Sequence, residues 1–194
     1  MKENGYPVAS DGQPDLSYYT DSPGYYAAMH ARALRDLDDR SVDSRLTFAR
    51  QVHACWGLIA NGAASIPFAL EMLKSSESEA REDGAAVLAE VGRDQSVVQN
   101  LLDTLRSEED AQARDGIVLA LGAIRSKAAM PALVRIVEDE SADGDTRWCA
   151  VEALGKIVRR RFLSQGDPIR AALDWIEAAR KRGRITDDEG VGQK

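Results

Sequence analysis

Histidine and cysteine are almost missing from this chain of 194 residues, which has two of each. Cys55 and Cys149 are far apart and show no disulfide or metal spacing, which excludes a disulfide-stapled scaffold. Buried free thiols and a reducing cytosol are the expectation. His30 and His53 bring no His-x-x-x-His and no Cys-x-x-Cys, so no metal and no cofactor is expected. His53 and Cys55, two residues apart on one helix, face different sides. There is no serine elbow, glycine-rich phosphate loop or carboxylate pair, so no catalytic residue is named and an enzyme is not expected. Positive charge is also short: 25 Lys and Arg against 32 Asp and Glu give a net charge of −7. That argues against a duplex nucleic-acid binder, which concentrates Lys and Arg on phosphates. No stretch approaches the ~18 apolar residues of a membrane span, so no membrane partner is expected. The first residues, MKENGYPVASDGQPDLSYY, lack the apolar segment of a signal peptide, and a cytoplasmic location follows as an expectation. No alternating polar–apolar stretch predicts a strand.

What is present is repetition. Arg81, Arg114 and Arg147 stand 33 residues apart, each preceded at four positions by an acid: Glu77, Asp110, Asp143. Leucine follows seven later (Leu88, Leu121, Leu154), then a small residue (Ala89, Gly122, Gly155), expected to let backbones approach closely, and a β-branched one (Val91, Ile124, Ile157). A second set recurs every 32 residues: Ile66, Val98, Met130; Leu70, Leu102, Val134; Leu73, Leu105, Val137. The turn joining the two sets grows by one residue per repeat, which loops tolerate at little free-energy cost. Periods of 20–50 residues mark stacked supersecondary units. Each helix of such a unit buries one apolar stripe, and two antiparallel helices bury their stripes against each other.

Helix signals arrive in order. Asp21-Ser22-Pro23 opens a helix to about Leu37. Ser41 is read as the cap of a second, Val42 to Ala60, and Ser65 as the cap of a short one reaching Lys74. Further helices are expected at 77–91, 96–106, 109–124, 128–138 and 143–160, and a last one from Pro168 to Lys181, closed by Gly183. Residues 1–21 read as a flexible or loosely docked arm whose tyrosines, Tyr6, Tyr18 and Tyr19, could dock on neighbouring helices. Residues 184–194 read as a frayed tail. Between them, 22–183 form a single domain with repeats at 64–93, 96–126 and 128–160 and caps at 23–62 and 167–182. Trp56 and Trp175 fall on apolar faces and are expected in the core.

The segments EAREDGAAVLAEVG (79–92), QARDGIVLALGAI (112–124) and DTRWCAVEALGKI (145–157), with first-helix prolines at Pro67 and Pro131, resemble the HEAT repeat in its short, phycobilisome-lyase-like form. The resemblance covers residues 64–160; Gln99 stands where the middle repeat would carry proline. It implies an all-α, right-handed α-solenoid of antiparallel helix pairs with irregular caps. It also implies that the acid–arginine pairs form a ladder fixing repeat-to-repeat register. Second helices line the concave face in that family, which places Glu82, Asp83, Glu90, Asp115, Leu119, Trp148 and Glu152 on a partner-binding surface. Solenoids mostly bind rather than catalyse. The expectation is therefore a monomeric, non-catalytic scaffold or adaptor for a protein partner, one with a basic surface being compatible. A bilin-lyase-like enzyme, implied by the resemblance alone, is one alternative. A nucleic-acid-binding solenoid is the other, with Arg159-Arg160-Arg161 as its cationic element. The bland account of those arginines is complementation of a helix C-terminal dipole.

Overall fold

The computed structural model describes residues 9, 14–37, 39, 41 and 43–185. Among them all regular structure is helical, and the chain forms two compact units, Met1–Gly92 and Arg93–Lys194.

In the first unit α1 (Pro23–Asp36) pairs with α2 (Ser44–Ala60), and α3 (Ile66–Met72) with α4 (Ser78–Val91); α4 also packs on α1 and α2. Ser22 caps α1 by accepting the Tyr25 N–H, with Pro23 in the first turn. Two expected caps are wrong. α2 begins behind Asp43, whose carboxylate accepts the Arg45 N–H at 2.9 Å, while Ser41 is spent on Asp39. An acid at this position satisfies an orphan N–H and also favours the positive end of the helix. Ser65 is fully buried and donates to the Leu58 carbonyl at 2.6 Å, so it ties α2 to the next turn instead of capping α3. Tyr26, Ala33, Ala54, Leu58, Ala85 and Leu88 form the core. The Tyr26 ring lies directly on Gly57, where a Cβ would fall 2.2 Å from it.

The second unit holds α5 (Gln95–Ser107), α6 (Ala111–Ile124), α7 (Met130–Glu138), α8 (Gly144–Val158) and α9 (Pro168–Lys181). α5 pairs with α6 and α7 with α8; α6 lies along α8, and α9 closes on α7 and α8. Val97, Leu101, Ile117, Val118, Leu121, Leu133, Val137, Val151 and Leu154 have no exposed surface. Gly122 does what its small-residue column predicts: a Cβ there would meet the Ala153 Cα at 2.5 Å, so α6 and α8 touch through backbone. Arg180 and Glu138 form a fork that fixes α9 to α7.

The acid–arginine ladder is not a register device. Arg147 donates through Nε and Nη2 to the Val137 carbonyl at 3.1 and 2.8 Å. Arg114 donates to the Glu108 carbonyl, and Arg81 to the Ser75 and Ser76 carbonyls. Each guanidinium therefore caps the end of the preceding first helix or its turn, within its own repeat. Asp110 and Asp143 accept N–H groups of their own second helices as N-caps. The columns are fixed by backbone groups at helix ends, which have no intrahelical partner.

The stretch before α1 is partly docked. Leu16–Tyr18 makes one helical turn against α2, and Tyr19 is buried. Ile185 is buried too, and Arg184 donates its N–H to Ala179. Tyr6 and residues 186–194 lie outside the described residues.

Candidate functional site

Of the seven surface residues named from sequence, three stand on α4 in the first unit and four on α6 and α8 in the second. Glu90 is exposed and Glu82 half-buried. Asp83 is half-buried: its Oδ2 accepts Nε2–H of Gln51 at 2.7 Å and lies 2.7 Å from Nε2 of His30, with 24% of the side chain exposed.

On α6, Asp115 and Leu119 are half-buried. Oδ1 of Asp115 is shielded from solvent and lacks a hydrogen bond. On α8, Trp148 is 43% exposed, the highest value for any tryptophan here, and Glu152 pairs with Lys156 at 2.8 Å. Cys149 sits among these acids. Burial first, then the charges of Asp115, Glu152 and Asp145, push its thiol up to about 11. This part of the α6–α8 surface is negative and carries one exposed aromatic ring.

The inward cluster on α4 is the feature that local sequence patterns do not announce. His30 comes from α1 and is 2% exposed; Gln51 and Cys55 come from α2; Asp83 comes from α4. His30, Cys55 and Asp83 offer a nitrogen, a sulfur and an oxygen that all lie within 4.8 Å of one another. Burial, with the Asp83 carboxylate beside it, holds the Cys55 thiol well above its ordinary value. An amide donor and an imidazole thus meet one carboxylate, with the Cys55 sulfur close by, which is how a half-buried charge becomes tolerable. His53 faces another way, as its spacing from Cys55 predicts. It packs among Tyr18, Tyr19 and Tyr26, with ring centroids at 6.3, 4.9 and 5.9 Å. Burial lowers its pKa, against the pull of Asp21.

A third feature lies at the end of α8. A cavity of about 820 Å³ is lined by Arg125, Arg159, Arg160, Arg161 and the Lys156–Glu152 pair over an apolar floor that includes Phe162. Arg125 and Arg159 end their helices in the left-handed region, with φ of 58° and 57°. Glycine usually occupies that position. Among the described residues, no carboxylate pairs with Arg125, Arg159, Arg160 or Arg161. Trp56 and Trp175 are half-buried, Trp175 against Phe162 at 6.0 Å.

Residues 98–182 match the family model for HEAT repeats. The match runs from within α5 through α9 and takes in two of the three repeats read from the columns; 64–93 falls outside it. No curated protein matches the chain. The all-helical fold and this match agree with the α-solenoid class. HEAT repeats commonly mediate protein interactions. No helix among the described residues is long and apolar enough to cross a membrane.

Proposed function

We propose that this chain is a non-catalytic scaffold that holds a protein partner on the second-helix face of its HEAT repeats, with α6 and α8 supplying the contact. The observation that carries this reading is Trp148. A tryptophan left 43% exposed on a second helix, beside Asp115, Leu119 and Glu152, is the residue type that anchors interfaces. The negative charge around it favours a partner with a basic surface. Glu82, Asp83 and Glu90 stand on α4, in the other unit, and are not part of this contact. The test is capture from a lysate of the source cell with the wild type and with Trp148→Ala/Asp115→Lys, both checked for folding by circular dichroism. A protein held by the wild type and lost by the folded variant supports the reading. Equal capture by both removes the α6–α8 face from consideration.

One observation favours a second reading, in which the ligand is a nucleic acid. The cationic cavity at the end of α8 inverts the sign of an otherwise acidic chain. Binding of DNA or RNA that falls steeply with salt, and falls further in Arg160→Glu/Arg161→Glu, would establish it.

A further inference from the structure

The cluster at His30, Cys55 and Asp83 has more than a packing use. We propose that these three side chains form a binding site for a borderline-soft divalent cation, zinc being the best fit, with a fourth position left for water.

The donor set comes first. One imidazole nitrogen, one thiol sulfur and one carboxylate oxygen lie within 4.8 Å of one another. Nitrogen and sulfur donors select zinc over calcium or magnesium, which prefer oxygen alone. The chain has two histidines and two cysteines, and one of each meets at a single carboxylate. Three helices supply them, α1, α2 and α4, so the site exists only once the first unit is folded.

Charge comes next. A divalent ion held by one thiolate and one carboxylate is neutral overall, which a half-buried site accommodates far better than a bare carboxylate. Binding breaks the Cys55 S–H bond and releases that proton to solvent as the sulfur takes up the metal. His30 then presents a lone pair at Nε2, its proton being carried on Nδ1. The metal takes the place of the direct contact between His30 Nε2 and Asp83 Oδ2.

Geometry asks for local movement, since donor atoms now within 4.8 Å of one another must reach one common spacing. Tetrahedral zinc with ordinary bond lengths sets its ligands roughly 3.3–3.6 Å apart. The His30–Asp83 contact of 2.7 Å must therefore open by about half an ångström. Gln51, donating to Asp83 at 2.7 Å, is placed to orient the carboxylate from behind, as outer partners of metal ligands do. His30 also lines a cavity of about 740 Å³ with Leu34, Arg35, Phe68, Glu71 and Met72, which Cys55 and Asp83 do not line. Three protein ligands and an open position are the arrangement of zinc sites that exchange water or take a ligand.

The test uses the full chain stripped with a chelator and titrated with Co²⁺ alone, then with Zn²⁺. A single equivalent of Co²⁺ should give tetrahedral d–d bands and a thiolate-to-cobalt charge-transfer band, both abolished by Zn²⁺. Cys55→Ser keeps a donor toward Asp83 and so keeps the fold. It should lose the charge-transfer band and weaken binding at least about tenfold. Cys149→Ser should change neither. The melting temperature of the wild type should rise with Zn²⁺ concentration, a readout that needs no variant to fold. Absence of the charge-transfer band in folded wild type would overturn the proposal. So would its survival in Cys55→Ser or its loss in Cys149→Ser.

Discussion

The two units are held by different means. In Arg93–Lys194 the core is almost wholly Leu, Val, Ile and Ala, with Glu108 and Thr146 its buried polar members, and the regularity of the columns does the specifying. In Met1–Gly92 the buried set includes His30, Thr47, Ser65 and Tyr26, and single polar contacts join the non-repeating helices α1 and α2 to the one repeat of this unit. Periodic burial is non-directional and roughly additive. A polar cluster is directional, and it is costly when one member is removed. The repetitive unit is therefore where a binding face can be built from like surfaces. The irregular unit is where residues of unlike chemistry are brought together.

This contrast can be broken at its strongest point first. Leu121→Ala removes a fully buried side chain from α6 and should cost about 2–5 kcal/mol in urea denaturation. A cost under 1 kcal/mol would mean that the second unit does not rest on this core. Next, Asp83→Ala leaves Gln51 and His30 without their acceptor and should cost about 1–3 kcal/mol, although it deletes little apolar surface. Asp83→Asn, which retains an oxygen, should recover part of that loss. If both variants are neutral, the polar cluster is not what joins α1, α2 and α4.

Arg147→Met comes third. It removes two donors to the Val137 carbonyl and should cost about 1 kcal/mol. Asp143→Ala should lose a similar amount through the α8 cap, and the pair should be nearly additive, since the two side chains serve different backbone groups. A strong coupling in the double-mutant cycle would restore the ion-pair ladder.

The smallest effect is one of pH. His53 has its pKa lowered in the folded state by burial. The unfolded chain then binds more protons than the folded one below the ordinary histidine value of about 6.5. The contribution of His53 is thus fully present above that pH and is lost as pH falls through and below it. His53→Gln should flatten the fall in melting temperature between pH 7 and pH 5.5 relative to wild type. Parallel curves would show that this ring does not titrate with folding.

Much of this was legible in the sequence, and the exceptions share a cause. The helices and their pairing follow from apolar spacing, and Gly122 was read correctly as a point of backbone contact. Local competition misplaced one cap, since Ser41 and Asp43 both offer a side-chain oxygen within one turn, and a bond to the Leu58 carbonyl took the other, Ser65. The arginine columns were visible but their partners were not, because a main-chain carbonyl leaves no mark in residue identities. The cluster at Asp83 was invisible for a stronger reason. His30 and Gln51 lie 53 and 32 residues before it, and no short spacing records a contact made by three helices. Asp83 therefore read as one more acid of the partner-binding surface.

The account stands most directly on Trp148 as the contact point. A photo-crosslinking residue placed at 148 and, separately, at Arg106, which is exposed on the first helix α5, would be irradiated in the source cell. The account predicts a discrete protein adduct from position 148 that disappears when Asp115→Lys is added, and none from 106. An adduct from 106 alone, or none from 148 while the protein remains folded, would contradict it.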